Sequence, residues 1–235
     1  MPNPIRGGVT IGTDQRDGTM RIDVYSDTVC PWCFLGKRRL ELAMASRPQY
    51  DTQVRWRPFE LNPDMPMDGV SRPIFLNSRG ISGQRAADID AELVRLGAAS
   101  GIQFRFDLIQ RIPNTRFSHL LLAHAVRYGR QSEVKDRIMR GYFEEGVNIG
   151  DIDALVQLGV EAGLPEWESK QALIIRAGQD GVVAAQRHAT LLGITGVPSF
   201  IFDGQYTISG AQEVAIFAQV LDQVAQFASD RASPA

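Results

Sequence analysis

Apolar and polar residues alternate over Arg21–Ser26, with Ile22 and Val24 on one face, which predicts a strand. From Pro31 to Met44 the period becomes helical, with Cys33, Lys37, Leu40 and Met44 sharing a face and Gly36 as a weak position. Gln53–Leu61 alternates again, with Val54 and Trp56 in phase. Pro58 has no N–H to give a ladder, so this strand lies at a sheet edge or bends there. Pro63, Pro66 and Pro73 mark a loop, and helical patterns follow as far as residue 190. Ile89, Leu93 and Leu96 repeat at helical spacing. A run from Thr115 carries Leu121, His124 and Tyr128 and stops at Gly129. Ser132 opens another with Val134, Ile138 and Tyr142. Asp151 caps one that Gly163 closes, Pro165 starts a further one, and Val182–Leu192 stops at Gly193. The middle is therefore expected to be an all-helical block of about five helices. Ser199–Phe202 and Gln205–Ile208 then flank Asp203-Gly204, a two-residue type I′ hairpin signal. Ala211–Ala228 places Val214, Phe217, Leu221 and Val224 on one stripe of a terminal helix. The order is βαβ, helical block, ββα, an α/β arrangement with helices inserted between two halves.

Composition narrows the function classes. The 235 residues carry 25 Lys+Arg and 27 Asp+Glu, a net charge of −2, without the basic surface that nucleic acid requires. With 44% hydrophobic and 22% charged residues the chain can bury a core, and no apolar run is long enough to span a membrane. The first nineteen residues, MPNPIRGGVTIGTDQRDGT, lack the apolar region of a secretory signal, so a cytoplasmic location is expected. Residues 1–19 read as a flexible tail with Met20 beginning the fold, and 229–235 as a second polar tail. Residues 20–62 and 189–228 form the two halves of one domain, and 63–188 the insertion.

The chain has two cysteines, Cys30 and Cys33. A disulfide scaffold would use more, and a structural zinc site needs four ligands. His119 and His124 are five apart and turn to different helix faces, so no metal is expected. Cys30-Pro31-Trp32-Cys33 follows a strand and opens a helix, the context of a redox-active pair. Unpaired N–H groups at the helix start stabilise a thiolate there. Cys30 is expected to be the low-pKa nucleophile and Cys33, one turn on, the resolving thiol. Pro31 suits the first turn, where its missing N–H costs nothing. Trp32 is expected at the surface beside the sulfurs, either touching substrate or shielding the disulfide.

SDTVCPWCFLGKRRLE, RWRPFELNPDMP and GITGVPSFIFDGQYTISGAQ, in this order, resemble the DsbA-like thioredoxin-fold oxidoreductases, and among them the FrnE branch. The resemblance covers about residues 20–62 and 189–228 and weakens through the helical block, where RIPNTRFSHLL is most similar. It implies a thioredoxin-like fold with an inserted all-helical domain, dithiol–disulfide exchange, Cys30 and Cys33 as the redox pair, and Pro198 as a cis-proline packed against it. Val197 would then present backbone N–H and C=O to an extended substrate segment. Periplasmic relatives usually carry His inside the CxxC; here Trp32 stands there. Reduction or isomerisation of disulfides against a glutathione poise is therefore expected rather than net oxidation. The resemblance also suggests a buried carboxylate near the resolving thiol. Glu60 is a candidate base, against the commoner reading of a solvated Glu at a strand end. Lys37, Arg38 and Arg39 read as a solvated face, His119 and His124 as core or surface residues, and Asn114 as a turn or cap.

These readings define a thiol–disulfide oxidoreductase or disulfide isomerase acting on protein or small-molecule disulfides. No cofactor is expected beyond glutathione as a redox partner, and no nucleic acid or membrane. Two alternatives compete. A glutathione-dependent isomerase or transferase of the 2-hydroxychromene-2-carboxylate isomerase or kappa-class type would usually activate glutathione with Ser rather than with two cysteines. A redox-linked chaperone would use the helical block as its binding surface.

Overall fold

The computed structural model describes residues 18–232. Strand β1 (Met20–Ser26) leads through helix α1 (Pro31–Ala45) to β2 (Thr52–Pro58). Then come β3 (Val70–Ser71), α2 (Arg72–Ser78), α3 (Gly83–Ala98), β4 (Arg111–Ile112), α4 (Arg116–Ala125), α5 (Gln131–Glu145), α6 (Ile152–Glu161), α7 (Glu166–Ile174) and α8 (Gln179–Leu191). The chain returns to the sheet with β5 (Ser199–Phe202) and β6 (Tyr206–Ser209) and closes with α9 (Val214–Ala232).

Among the described residues the main sheet has the order β2-β1-β5-β6. β1 and β2 run parallel, as α1 between them allows, and the β1–β5 and β5–β6 pairs are antiparallel. β2 is an edge strand, as Pro58 required. Register brings Val54 and Phe202 beside Ile22, and Trp56 and Phe200 beside Val24. That face is closed by Leu40 and Ala43 of α1 and by Phe217, Leu221 and Val224 of α9. The opposite face, with Tyr25 and Ile201, packs on Phe59 and on Ala189 of α8. Asp203 and Gly204 both take positive φ, and the Gln205 N–H donates to the Phe202 carbonyl, the geometry the hairpin signal anticipated.

Three expectations need correction. Between β2 and β5 lie seven α-helices and a two-stranded ladder of β3 and β4, not about five helices. Pro73, read as a loop marker, sits in the first turn of α2, where a proline costs no hydrogen bond. The terminal helix starts later and runs longer than Ala211–Ala228, so the tail expected from 229 begins as helix. The rest of that tail, and nearly all of the one expected over 1–19, lie outside the described residues.

The α1 start does not belong to the sheet's own core. Cys30, Cys33, Phe34 and Leu35 are part of the same apolar cluster as Leu93, Phe104, Leu121, Ile138, Phe143 and Leu155 of the inserted segment. Phe34 stacks on Phe143 at 5.9 Å and meets Phe104 edge-on at 5.8 Å. The Cys30–Cys33 turn is therefore held by the helical block.

Candidate active site

Cys30 is the N-cap of α1, with extended backbone, and Pro31 follows at the first helical position. The Cys30 carbonyl accepts from the N–H groups of Cys33 and Phe34 at 3.0 and 3.2 Å. This first turn carries Cys33 to the inner side, 1% exposed against 4% for Cys30, while Trp32 stays 40% exposed. Both thiols are free. The Val197–Pro198 peptide bond is cis, and the Val197 carbonyl oxygen lies 3.8 Å from Cys30 Sγ. A Cβ at Gly36 would stand 3.1 Å from the Pro198 ring and 3.0 Å from Phe200, so the missing side chain lets α1 lie against the Pro198 loop. The structure thus brings Cys30, Cys33, Val197 and Pro198 together, with Trp32 at the rim.

The charged surroundings come mostly from residues the sequence patterns did not single out. Asp27 is fully buried just before the Cys30–Cys33 turn. Its Oδ1 accepts from the Thr28 N–H at 2.7 Å and lies 3.2 Å from His119 Nε2, and its Oδ2 accepts from the Leu61 N–H at 2.8 Å. Burial alone would raise its carboxyl. The bond to His119, that ring's charge, the Leu61 N–H and the charge of Lys135 outweigh it and hold Asp27 below the usual range. Thr28 and Ser118 share a hydroxyl hydrogen bond of 2.7 Å, which ties the turn to α4.

Lys135 of α5 is also fully buried, with its ammonium 5.7 Å from the Trp56 ring. Burial pushes its pKa down to about 8, against the upward pull of Cys33, Asp27 and Cys30. Its signal was present in the sequence. Lys135 stands on the apolar stripe that Ile138, Met139 and Tyr142 continue at i+3, i+4 and i+7, where a cation has no place unless it is used. Asp27, three residues before Cys30, had no comparable signal.

The two thiols titrate as a pair. Burial pushes Cys33 up, but the facing Cys30 thiol and the charge of Lys135 bring it below the ordinary value. Cys30 is pushed well above it, by its hydrogen bond to Cys33, by burial, and by the negative charges of Cys33 and Asp27. The direction is opposite to that expected for Cys30 at the helix mouth. The helix terminus favours a thiolate there, but Asp27 opposes it, and the buried cation acts more strongly on the inner sulfur. The pair gives up one proton readily and holds the second.

The other candidates fall elsewhere. Glu60 is buried, not solvated, but its carboxylate is forked onto Arg116 at 2.8 and 2.7 Å, so the carboxylate beside the thiols is Asp27. Lys37 and Arg39 are buried, contrary to the solvated face expected of them. Lys37 pairs with Glu41 and Asp136, and Arg39 binds the Ala211 carbonyl and Glu213. Asn114 caps a turn, its Oδ1 accepting from the Arg116 N–H. His124 is buried against Tyr128.

A CxxC at a helix start, beside a cis-proline loop on a β2-β1-β5-β6 sheet, is the arrangement of a thioredoxin-fold protein, and the family can be stated. The model of the DSBA-like thioredoxin domain matches residues 21–222, and the chain belongs to that family, with the thiol–disulfide oxidoreductase class of enzyme it represents. The chain is 34% identical over 206 residues to the Bacillus subtilis (strain 168) protein YwbO, covering 86% of this chain and 96% of that one. The crystal structure of the probable DsbA oxidoreductase SCO1869 from Streptomyces coelicolor superposes with a TM-score of 0.82 at 35% identity, over 92% of each chain. The cytosolic disulfide reductase DsbM from Pseudomonas aeruginosa, solved with GSH, shares the fold at a TM-score of 0.62 and 21% identity, over 90% of this chain and 98% of that one. Among the described residues no helix is long and apolar enough to cross a membrane.

Proposed function

We propose that the Cys30-Pro31-Trp32-Cys33 turn carries out dithiol–disulfide exchange, reducing or isomerising protein or small-molecule disulfides, with glutathione as its redox partner in the cytoplasm. The observation that carries this reading is the pair itself: two free thiols on one helical turn, sharing one easily lost proton, with the outer sulfur against the Val197 carbonyl. Cys30 is the attacking sulfur because it is the outer one, at the rim that Trp32 and Val197 frame. Its proton passes to the Cys33 thiolate as it attacks. One sulfur of the substrate joins Cys30 and the other leaves as thiolate. Cys33 then loses its proton, attacks Cys30 and releases the second substrate sulfur, leaving the Cys30–Cys33 disulfide for a reductant to reopen. An extended substrate strand pairs with the Val197 backbone beside Pro198, while Trp32 covers the apolar part of the segment.

Insulin reduction and refolding of scrambled ribonuclease test this. Cys30→Ser is expected to abolish both, and Cys33→Ser to accumulate a mixed disulfide with substrate or glutathione. Wild-type protein that turns over neither substrate but holds glutathione tightly would replace this reading with the glutathione-dependent isomerase. Suppression of aggregation that survives Cys30→Ser, without turnover, would replace it with a chaperone.

A further inference from the structure

Beside β2, where α4, α5 and α8 meet, the structure encloses a cavity of about 300 Å³. Trp32, Val197 and Pro198 are not among its walls, so it is separate from the rim at which disulfide exchange is proposed. Its charges are of one sign. Among the described residues Arg57, His119 and Lys135 line it, and no Asp or Glu does. Arg57 is paired with Asp23 at 2.7 Å, and His119 Nε2 lies 3.2 Å from Asp27. Lys135 is fully buried, and no described residue gives its ammonium a hydrogen bond or an ion pair. The chain's other two lysines, Lys37 and Lys170, each hold a carboxylate, at 2.5 and 2.9 Å. The buried Ser26 hydroxyl, also on the wall, has no hydrogen-bond partner among the described residues. The remaining walls are mostly apolar. Leu122 and Val126 sit one turn apart at the end of α4, and Val182 and Ala185 one turn apart on α8. Val126 is 57% exposed, so the cavity runs from a charged inner end to an apolar mouth.

We propose that this cavity binds a small apolar monocarboxylic acid, its carboxylate paired with Lys135 and hydrogen-bonded by Ser26, its hydrocarbon part lying between α4 and α8.

The chemistry of the walls selects this ligand. With a pKa of about 8 Lys135 is charged at neutral pH, and a buried charge is costly until a counter-charge and hydrogen bonds satisfy it. Asp27 does not fill that place by contact, since its oxygens are taken by the Thr28 and Leu61 N–H groups and by His119. One uncompensated cation calls for one negative charge. A phosphate dianion would bring a second charge that nothing on the wall neutralises. A small inorganic anion would pair with Lys135 but leave Leu122, Val126 and Val182 against water, without the gain of covering apolar surface. The volume is that of about ten water molecules at roughly 30 Å³ each, which suits an acid of about ten non-hydrogen atoms, the size of octanoate.

Titration calorimetry of the wild-type chain with octanoate should show saturable one-to-one binding. Octanamide, equal in length but uncharged, should bind about tenfold more weakly or worse, because it lacks the charge-assisted bond. Acetate should be weaker than octanoate by about a hundredfold or more, because it covers almost no apolar wall. Octyl phosphate should bind no more tightly than octanoate. In Lys135→Met, shown to be folded by its melting curve, octanoate should fall to the level of octanamide while octanamide keeps its affinity. Position is read from tryptophan emission. The chain has three tryptophans, and Trp56 is the one on the cavity wall, with its ring 5.7 Å from the Lys135 ammonium. 8-Bromooctanoate should therefore quench a chain that keeps Trp56 alone (Trp32→Phe, Trp167→Phe). Absence of octanoate binding would overturn the site. Equal affinity of the wild-type protein for octanoate and octanamide, tighter binding of octyl phosphate, or octanoate binding unchanged in Lys135→Met would overturn the pairing of a monocarboxylate with the lysine. Acetate as tight as octanoate would overturn the apolar half. Quenching that requires Trp32 or Trp167 would put the acid at the exchange rim or on the surface and overturn the cavity. The exchange reaction is judged separately: octanoate binding in a protein that reduces no disulfide would sink the functional reading and keep this site.

Discussion

A buried ion pair and a buried lysine have opposite consequences at residue scale. Glu60 is fixed by two short bonds to Arg116, and nothing links it to the thiols. Glu60→Gln is therefore expected to cost about 1–2 kcal/mol, the loss of a charge-assisted hydrogen bond, and to leave the pH profile of disulfide reduction where it was. Urea denaturation and the insulin assay across pH check the two halves separately. Lys135 is the reverse case. Its folded value of about 8 lies below the value of about 10.4 in an unfolded chain, so between these limits the unfolded state binds more protons and stability of the reduced protein rises with pH. Below pH 8 the fold bears the full cost of an ionised buried amine. Lys135→Met should remove on the order of 2 kcal/mol of that cost at neutral pH and lose its advantage as the pH approaches 10. A mutant that is less stable than wild type at neutral pH and no better at pH 9.5 would contradict this. The contrast also shows what a sequence reveals at this scale. Cys30 and Cys33 announce themselves by spacing and context, and Lys135 by being a cation on an apolar stripe. Asp27 and Glu60 do not, because the burial of a carboxylate depends on which N–H groups and cations the fold brings to it from far along the chain. The same is true of the thiol charge: the helix start was legible, but the bond to Cys33, the burial and the Asp27 charge, which reverse its effect on Cys30, were not.

At the scale of elements, close approach of backbone decides more than propensity. Gly36 lies inside α1, where alanine would gain about 1 kcal/mol in helix propensity. Yet a methyl there stands 3.1 Å from the Pro198 ring and 3.0 Å from Phe200, and the Ala211 backbone is also near. Gly36→Ala should therefore leave overall stability within about 1 kcal/mol, as propensity and crowding offset each other, while the Pro198 loop is displaced from α1. Slower insulin reduction at unchanged Tm is the expected result; wild-type kinetics would show that the loop's seat on α1 does not matter to the reaction. Elements with strong periodicity were readable: β1, α1, the β5–β6 hairpin, and α6 with its Asp151 cap, whose carboxylate accepts from the Ala154 N–H. The ones that escaped had no pattern to give. α2 buries none of its side chains, and β3 and β4 are two residues each, so neither an apolar stripe nor an alternation could form. α5 starts one residue before the Ser132 expected to open it, because Ser132 is occupied elsewhere: its hydroxyl accepts from the Trp56 indole at 3.0 Å.

That indole bond belongs to a larger arrangement in which the insertion and the sheet are stitched together. Gln131 accepts from the Trp56 N–H and donates to the Trp56 carbonyl, occupying the free edge of β2 that would otherwise be open to another strand. The α1 start contributes Cys30, Cys33, Phe34 and Leu35 to the core of the inserted helices. Chain order suggested a block of helices placed between two halves of a domain, but the packing makes the block one wall of the Cys30–Cys33 turn. A core shared in this way predicts one cooperative transition for both parts. Phe143 carries the argument furthest, since it lies in α5, far along the chain from the cysteines, yet stacks on Phe34 directly after Cys33. Phe143→Ala should cost about 3–5 kcal/mol, lowering the midpoint of a single unfolding transition seen identically by far-ultraviolet circular dichroism and by tryptophan fluorescence. It should also change the alkylation rate of the thiols in the folded state, because α1 loses the ring that seats its first turn. Two separate transitions, with only the first moved by the substitution and the thiol chemistry untouched, would mean that the helical block folds on its own and that the redox turn is held by the sheet instead.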